Sequence, residues 1–347
     1  MKIGFHKWTL SIVGICIIFC FFFLYSEIYS KDVSNGKSVS FELQQNQTVS
    51  ELAAKLEEKG IIRFSGLFKK YIVFRGVDKT MQPGVYRVEP PVTLARIVDA
   101  LKNTRQNREE ISLTILPGWN LKDIAAYFEK QNIAKEEEVY TLLGHPAQKT
   151  KFQFPIGDIK LFKDVPRSGS LEGYLAPETV RFYSDVTLEE VIEKFLHIRE
   201  AQFSDQMLSD IKKQEKSIHD ILTMASILER EVKHPEDRAM VANLFWRRLT
   251  ANWALQADST VHYAVEREDK QVFTTDEQRK FDSPWNTYKY PGLPPTPISI
   301  PSIDSIMAAI YPTQNSYWFF LTTLDTGEVK FSKTLEEHNA KVQKYLR

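Results

Sequence analysis

Cysteine is confined to Cys16 and Cys20, and no thiol follows them in a chain of 347 residues. This excludes a disulfide framework and a cysteine-ligated zinc site from everything beyond Tyr25, and it suits export to an oxidising compartment. An excess of charge of either sign is also missing, with 45 Lys and Arg against 45 Asp and Glu. Nucleic-acid binders ordinarily carry a basic excess, so a neutral polysaccharide or a peptide is the expected partner. His219, His234, His262 and His338 form no metal-ligand spacing, so no metal is expected, and no cofactor. The chain is 43% hydrophobic and 26% charged. That composition belongs to folded chains rather than disordered ones, and the length implies two or three folded units behind a targeting segment.

Charge is absent from residues 8–26, where Ile15, Ile17, Ile18, Phe19 and Phe21 to Leu24 make a strongly apolar run. At 1.5 Å per residue such a stretch covers about 28 Å, close to a hydrocarbon core. Lys2 and Lys7 precede it and Glu27 follows, which predicts a cytoplasmic tail over 1–7, a transmembrane helix over 8–26 and the remaining chain outside. The alternative, a cleaved signal peptide, lacks an Ala-x-Ala site. Residues 27–38 read as a tether.

Val39, Phe41 and Leu43 alternate as a strand, and Thr48-Val49-Ser50-Glu51 is a capping box opening a helix with Val49, Leu52, Ala53 and Leu56 on one face. The pattern returns with Ile111, Leu113 and Ile115, then Asn120 capping a helix with Leu121, Ile124, Ala125 and Phe128. Residues 39–61 lie on 111–133 without a gap, and Ser40/Ser112, Ala53/Ala125, Ala54/Ala126, Glu57/Glu129 and Ile61/Ile133 are identical pairs. One common strand–turn–helix pattern used twice explains this. So does a duplicated module packed into one α+β domain, or a small glycan-binding module resembling LysM. Between the copies, Leu94, Ile97, Val98 and Leu101 mark a further helix. The expected fold class is α+β: the membrane helix, a LysM-like α+β domain over 39–143, and a larger, mainly helical domain over 144–347. Near its end, Trp318 to Leu321 and Val329 with Phe331, around Asp325-Thr326-Gly327, predict a β-hairpin.

Ser217 and Asp220 supply the cap and first-turn acid of a helix whose Ile218, Ile221, Leu222, Ala225, Leu228 and Val232 follow helical spacing. Glu229 lies within about 20° of Ile218, Leu222 and Ala225 around the axis, so a carboxyl group stands on the stripe the helix should bury. Burial raises a carboxyl pKa, as a general acid near neutral pH requires. Pairing with a buried arginine, such as Arg247 or Arg248, is the structural alternative. Glu231, about 200° further round, should face away.

Residues 225–231, Ala-Ser-Ile-Leu-Glu-Arg-Glu, closely resemble the Ala-Ser-Ile-Val-Glu-Lys-Glu signature of the YceG-like family, the endolytic murein transglycosylases. Three more motifs agree in order. Leu-Glu-Gly-Tyr-Leu-Ala-Pro-Glu-Thr at 171–179 is similar to Leu-Glu-Gly-Tyr-Leu-Phe-Pro-Asp-Thr. Leu-Gln-Ala-Asp-Ser-Thr-Val at 255–261 is similar to Leu-Gln-Thr-Asp-Pro-Thr-Val. Residues 283–297 resemble Ser-Pro-Tyr-Asn-Thr-Tyr followed by Gly-Leu-Pro-Pro-Gly-Pro. Ala176, Ser259, Trp285, Thr296 and Ser302 depart from the pattern.

The resemblance implies a catalytic domain over 144–347 that cuts between N-acetylmuramic acid and N-acetylglucosamine inside peptidoglycan strands, without water. Glu229 would protonate the glycosidic oxygen and then take the proton of the muramyl C6 hydroxyl, leaving a 1,6-anhydro end. Gln256, Asn286 and Tyr288 have groups suited to sugar hydroxyls and acetamides. Tyr174, Trp285 and Tyr290 are candidates to stack on sugar faces or to fill the core, and Glu172 to bind substrate or cap its loop. Asp258, Glu172 and Asp282 leave a two-carboxylate hydrolase open, and a noncatalytic peptidoglycan-binding scaffold is the remaining class. The implied setting is the outer side of the bacterial cytoplasmic membrane, and the implied partners are peptidoglycan and the wall-synthesis machinery, penicillin-binding proteins included.

Overall fold

The computed structural model describes residues 3–102, 109–155, 157, 159–162, 164–166, 169–265 and 274–346, with side chains from residue 14 onward except that of Lys160. Two compact units emerge. Unit 1 is Met1–Ser112 with Arg181–Val186, and unit 2 is Leu113–Val180 with Thr187–Arg347.

Unit 1 begins with helix α1 (Ile3–Tyr25), which runs into a π-turn at Ser26–Ser30. Strand β1 (Val39–Leu43), helices α2 (Val49–Glu58) and α3 (Ser65–Phe74), strand β2 (Gly84–Val88) and helix α4 (Leu94–Lys102) follow. β1 and β2 pair antiparallel with Phe41 opposite Tyr86, and those rings stack at 5.6 Å. Alternation along β1 sends Phe41 and Leu43 inward, where they meet Leu52, Leu56, Phe68, Ile72, Ile97 and Leu101. The capping box at Thr48 forms as its sequence requires.

Among the described residues, no helix is long and apolar enough to cross a membrane. Directly after α1, Glu27 is buried in unit 1 and accepts from Arg63 Nη1 at 3.1 Å. The transmembrane helix expected over 8–26 is corrected on this finding; the side chains of residues 8–13 lie outside the described residues.

Strand β3 (Glu110–Thr114) pairs with β4 (Thr179–Tyr183) in a two-stranded ribbon whose residues are divided between the units. The partner strand β4 was not legible beforehand. The two repeated segments, 39–61 and 111–133, therefore do not share one domain core, and residue 144 falls inside unit 2.

Unit 2 continues with α5 (Leu121–Lys130), α6 (Glu136–Leu143), α7 (Leu188–Ala201), α8 (Asp205–Lys213), α9 (Ile218–Glu231), α10 (Pro235–Thr250), α11 (Asp258–Ala264), α12 (Asp276–Arg279) and α13 (Ile303–Ile310). The expected hairpin forms from β5 (Phe319–Thr322) and β6 (Val329–Ser332), with Phe320 opposite Phe331, and α14 (Leu335–Tyr345) closes the chain. α9 is the centre of this unit, packed by α10, α11 and α13. Its Ser217 cap and Asp220 exchange hydrogen bonds at 3.0 and 2.9 Å.

Candidate active site

Apart from Asp220, every residue of α9 from 218 to 228 is buried. The helix is enclosed on all sides rather than along one stripe. Its last turn carries Glu229 and Glu231, which point to different neighbours.

Glu229 turns toward α10 and α13. Arg238 Nη2 donates to its Oε1 at 3.1 Å. Its Oε2 accepts from Ser302 N (2.9 Å), Ser302 Oγ (2.5 Å) and Ser305 Oγ (2.8 Å). Ser302 is also the N-cap of α13 and receives Arg238 Nη1 at 2.9 Å. Both members of the Glu229–Arg238 pair are under 10% exposed, at 9% and 8%. Three donors thus occupy one carboxyl oxygen and a guanidinium holds the other, which ties the end of α9 to two helices. The arginine is Arg238, not Arg247 or Arg248; those two donate to main-chain carbonyls of residues 315, 317, 318 and 255.

Glu231 turns toward α11 and is only half buried, with its Oε1 accepting from Ser259 N at 2.9 Å. Burial raises its carboxyl above the ordinary carboxylate range. The Ser259 hydrogen bonds oppose this, the negative charge of Asp258 adds to it, and Arg230 opposes it weakly. The carbonyl end of α9 lies at the same place and further disfavours an anion. Asp258 is anchored by Thr274 Oγ1 (2.7 Å) and Tyr288 OH (2.6 Å). The Arg279 guanidinium lies over the Tyr288 ring at 5.0 Å, and burial pushes the Tyr288 phenol well up. A half-buried carboxyl whose pKa is raised, a fixed anion and a phenol therefore sit together at the α9–α11 junction.

The residues nominated by sequence divide. Tyr288 belongs to this cluster. Gln256 is exposed two residues before Asp258, with φ at 54°. The other four do not face solvent. Asn286 spends both amide hydrogens on Arg279 O (3.0 Å) and Phe281 O (2.8 Å), and its oxygen takes Tyr288 N (3.0 Å). Trp285 is 2% exposed and donates to Thr296 Oγ1 at 3.0 Å. Tyr174 is enclosed and donates to His219 Nδ1 at 2.8 Å, since His219 Nε2 gives its hydrogen to Pro295 O. Glu172 is enclosed as well; it accepts from Leu121 N (3.0 Å) and Tyr263 OH (3.1 Å), and burial pushes it up to about 8. Of the roles open in the sequence, Tyr174 and Trp285 take core packing rather than an exposed face and Glu172 holds backbone and a phenol, while Asn286, expected to face sugar groups, is used up on main-chain partners.

Glu231, expected to face away, is drawn into the cluster, and the sequence carries a signal for it. Glu231 follows Met224, Ile227 and Leu228 by seven, four and three residues, a second apolar stripe as regular as the first. Among the described residues no group of His, Cys, Asp and Glu is arranged to hold a metal ion.

Known proteins carry the same pattern. The YceG-like family matches residues 41–344. A protein of Bacillus subtilis (strain 168) named endolytic murein transglycosylase is 32% identical over 337 residues, 93% of this chain and 90% of that protein. One of Streptococcus pneumoniae serotype 2 with the same name is 25% identical over 334 residues, 91% of this chain and 60% of that protein. A crystal structure of a yceG-like protein from Listeria monocytogenes is 30% identical and covers 88% of this chain and 100% of its own, with a TM-score of 0.57. With its motifs in order and nearly the whole chain matched, this protein belongs to the YceG-like family.

Proposed function

We propose that the chain is an endolytic murein transglycosylase, the activity for which its Bacillus and Streptococcus relatives are named, and that Glu231 is its acid and base. The observation that carries the residue assignment is the half-buried Glu231 carboxyl, raised by burial and standing beside Asp258 and Tyr288. A raised carboxyl keeps its proton to higher pH than an ordinary one, which suits leaving-group protonation. Glu231 gives its proton to the glycosidic oxygen as the bond from that oxygen to the muramyl C1 breaks. The C6 hydroxyl of the same sugar then bonds to C1 and returns its proton to Glu231. No water enters, so one carboxyl group serves both steps. The Asp258 anion, fixed by Thr274 and Tyr288, favours the positive charge that builds on C1.

Glu229 is assigned a positioning role: through Arg238, Ser302 and Ser305 it holds the last turn of α9 and thereby Glu231. Peptidoglycan lies outside the cytoplasmic membrane, so catalysis takes place there, alongside the penicillin-binding enzymes that extend the strands. A hydrolytic muramidase is the second reading, favoured by one observation: Asp258 supplies a second carboxylate next to Glu231. Mass spectrometry of a sacculus digest separates the two. Anhydro ends, lighter than reducing ends by one water, about 18 Da, support the transglycosylase, because no water attacks C1. Reducing ends alone would move the chain to the hydrolases, and sacculi bound but left uncut would make it a scaffold.

A further inference from the structure

Among the described residues, seven other than glycine have positive φ: Asn35, Asn46, Asn132, Ala147, Glu215, Asn252 and Gln256. Four are asparagine, the residue that tolerates this region best after glycine. Asn132, Glu215 and Asn252 each stand one position past a helix C-cap, where left-handed backbone is the usual way a helix ends. Ala147 and Gln256 have neither excuse, and of the two Gln256 alone carries a polar side chain. α10 ends at Thr250 and α11 starts at Asp258, so no helix termination calls for φ of 54° there.

The backbone around Gln256 is clamped on both sides. Arg248 Nη1 donates to Leu255 O at 2.6 Å. Gln256 N donates to Thr287 O at 3.1 Å, and Ala257 N to Thr287 Oγ1 at 3.1 Å. Leu255 and Ala257 are buried, while the Gln256 side chain is exposed. The same Thr287 precedes Tyr288, which holds Asp258, and Ser259 two residues on from Ala257 holds Glu231. A glycine would meet the backbone requirement with less strain. What glutamine adds is an exposed carboxamide, on a residue whose neighbours in the clamp, Thr287 and Ala257, adjoin the residues that hold the two acids.

We infer that Gln256 is a substrate-positioning residue, whose clamped left-handed backbone aims its carboxamide at the acetamido group of a sugar next to the scissile bond. A carboxamide donates through Nε2–H₂ and accepts through Oε1. The acetamido group is a trans amide with its N–H and C=O on opposite sides, so it takes one of these hydrogen bonds, from Nε2 to its carbonyl or from its N–H to Oε1. The inference rests on the transglycosylase reading above and narrows it to an N-acetyl-recognising contact.

The test uses the full chain on purified glycan strands, with Glu231→Gln as the reference for the underlying reading. Gln256→Gly is expected to melt at or above the wild-type temperature, since strain is relieved. Its KM for strands is expected to rise about 10-fold, the worth of one hydrogen bond, with kcat changed less than about 3-fold. Gln256→Asn, which suits the same backbone and keeps an amide, should recover part of the loss. On strands with acetyl groups removed, wild type and Gln256→Gly should bind alike, because one partner of the pair is already gone. An unchanged KM in Gln256→Gly overturns the inference, and so does a further loss of that variant on deacetylated strands. If instead Glu231→Gln cuts like wild type, the reading beneath it fails, whatever the Gln256 variants do.

Discussion

Two glutamates separated by one residue answer to different physics. Glu229 accepts four hydrogen bonds in a nearly dry pocket, and Glu231 is held by Ser259 at the margin of solvent. Glu229→Gln puts an amide N–H₂ where donors already converge and leaves Arg238 without its counter-charge. Removing one partner of a buried pair costs about 3–5 kcal/mol, so this variant is expected to melt well below wild type, and its activity to fall with its folded fraction and positioning. Glu231→Gln should keep the wild-type melting temperature and lose at least about 100-fold in rate, the usual scale of acid catalysis. Thermal melts beside digestion rates separate the two; equal melting temperatures would dissolve the distinction.

Acidity follows from the same contrast. Because the Glu231 carboxyl is raised by burial, the competent, protonated form prevails at lower pH, and kcat/KM should fall as pH rises through that raised value. Glu172 gives a stability counterpart. Its folded value of about 8 lies above the ordinary 4.5, so folding binds a proton. Its contribution is therefore fully present below pH 4.5 and is lost as pH climbs to about 8, at roughly 1.4 kcal/mol per pH unit where only the unfolded state ionises. Glu172→Gln, which cannot ionise, should gain in melting temperature relative to wild type as buffers move from pH 5 to 8. A constant difference across that series would contradict the burial argument.

At the scale of elements, most of what was legible came from local rules. The caps at Thr48, Asn120 and Ser217, the apolar faces of α2 and α5, and the β5–β6 hairpin are all written in adjacent residues. The failures share one cause, which is packing from elsewhere in the chain. α9 reads as one-sided, but α11 and α13 cover both sides, which turns Glu231 from an outward residue into a site residue. β4 is a strand because β3 is there to pair with it. Trp285 and Tyr174 look like sugar platforms until Thr296 and His219 claim their polar atoms.

The loop at Gly173 shows how little slack that packing leaves. Its φ is +80°, and a Cβ there would meet Pro297 Cβ at 2.5 Å. Gly173→Ala is therefore expected to destabilise by 1–3 kcal/mol or more, from overpacking joined to left-handed strain. Denaturant unfolding measures it, and a neutral result would mean that the Pro297 segment moves aside freely.

For the whole molecule, each unit has its own core, and the candidate site belongs to unit 2 alone. Damage to unit 1 should therefore spare the chemistry. Leu52 is fully buried there, and Leu52→Ala is expected to cost about 2–5 kcal/mol through the cavity it leaves. Calorimetry should show a lowered transition for unit 1, while the digest keeps the same kind of chain end. A switch of product type would mean that the chemistry depends on unit 1.

The chain passes between the units three times, after residues 112, 180 and 186. A short segment, Arg181–Val186, returns to unit 1 from deep within the sequence of unit 2. No single cut in the gene can separate the two as intact pieces, because a break at 112 strands that returning segment. A recombination crossover between diverged relatives, wherever it lands, joins mismatched halves inside at least one unit. A single crossover therefore cannot exchange unit 1 as an intact cassette, because its two pieces flank 68 residues of unit 2, Leu113–Val180.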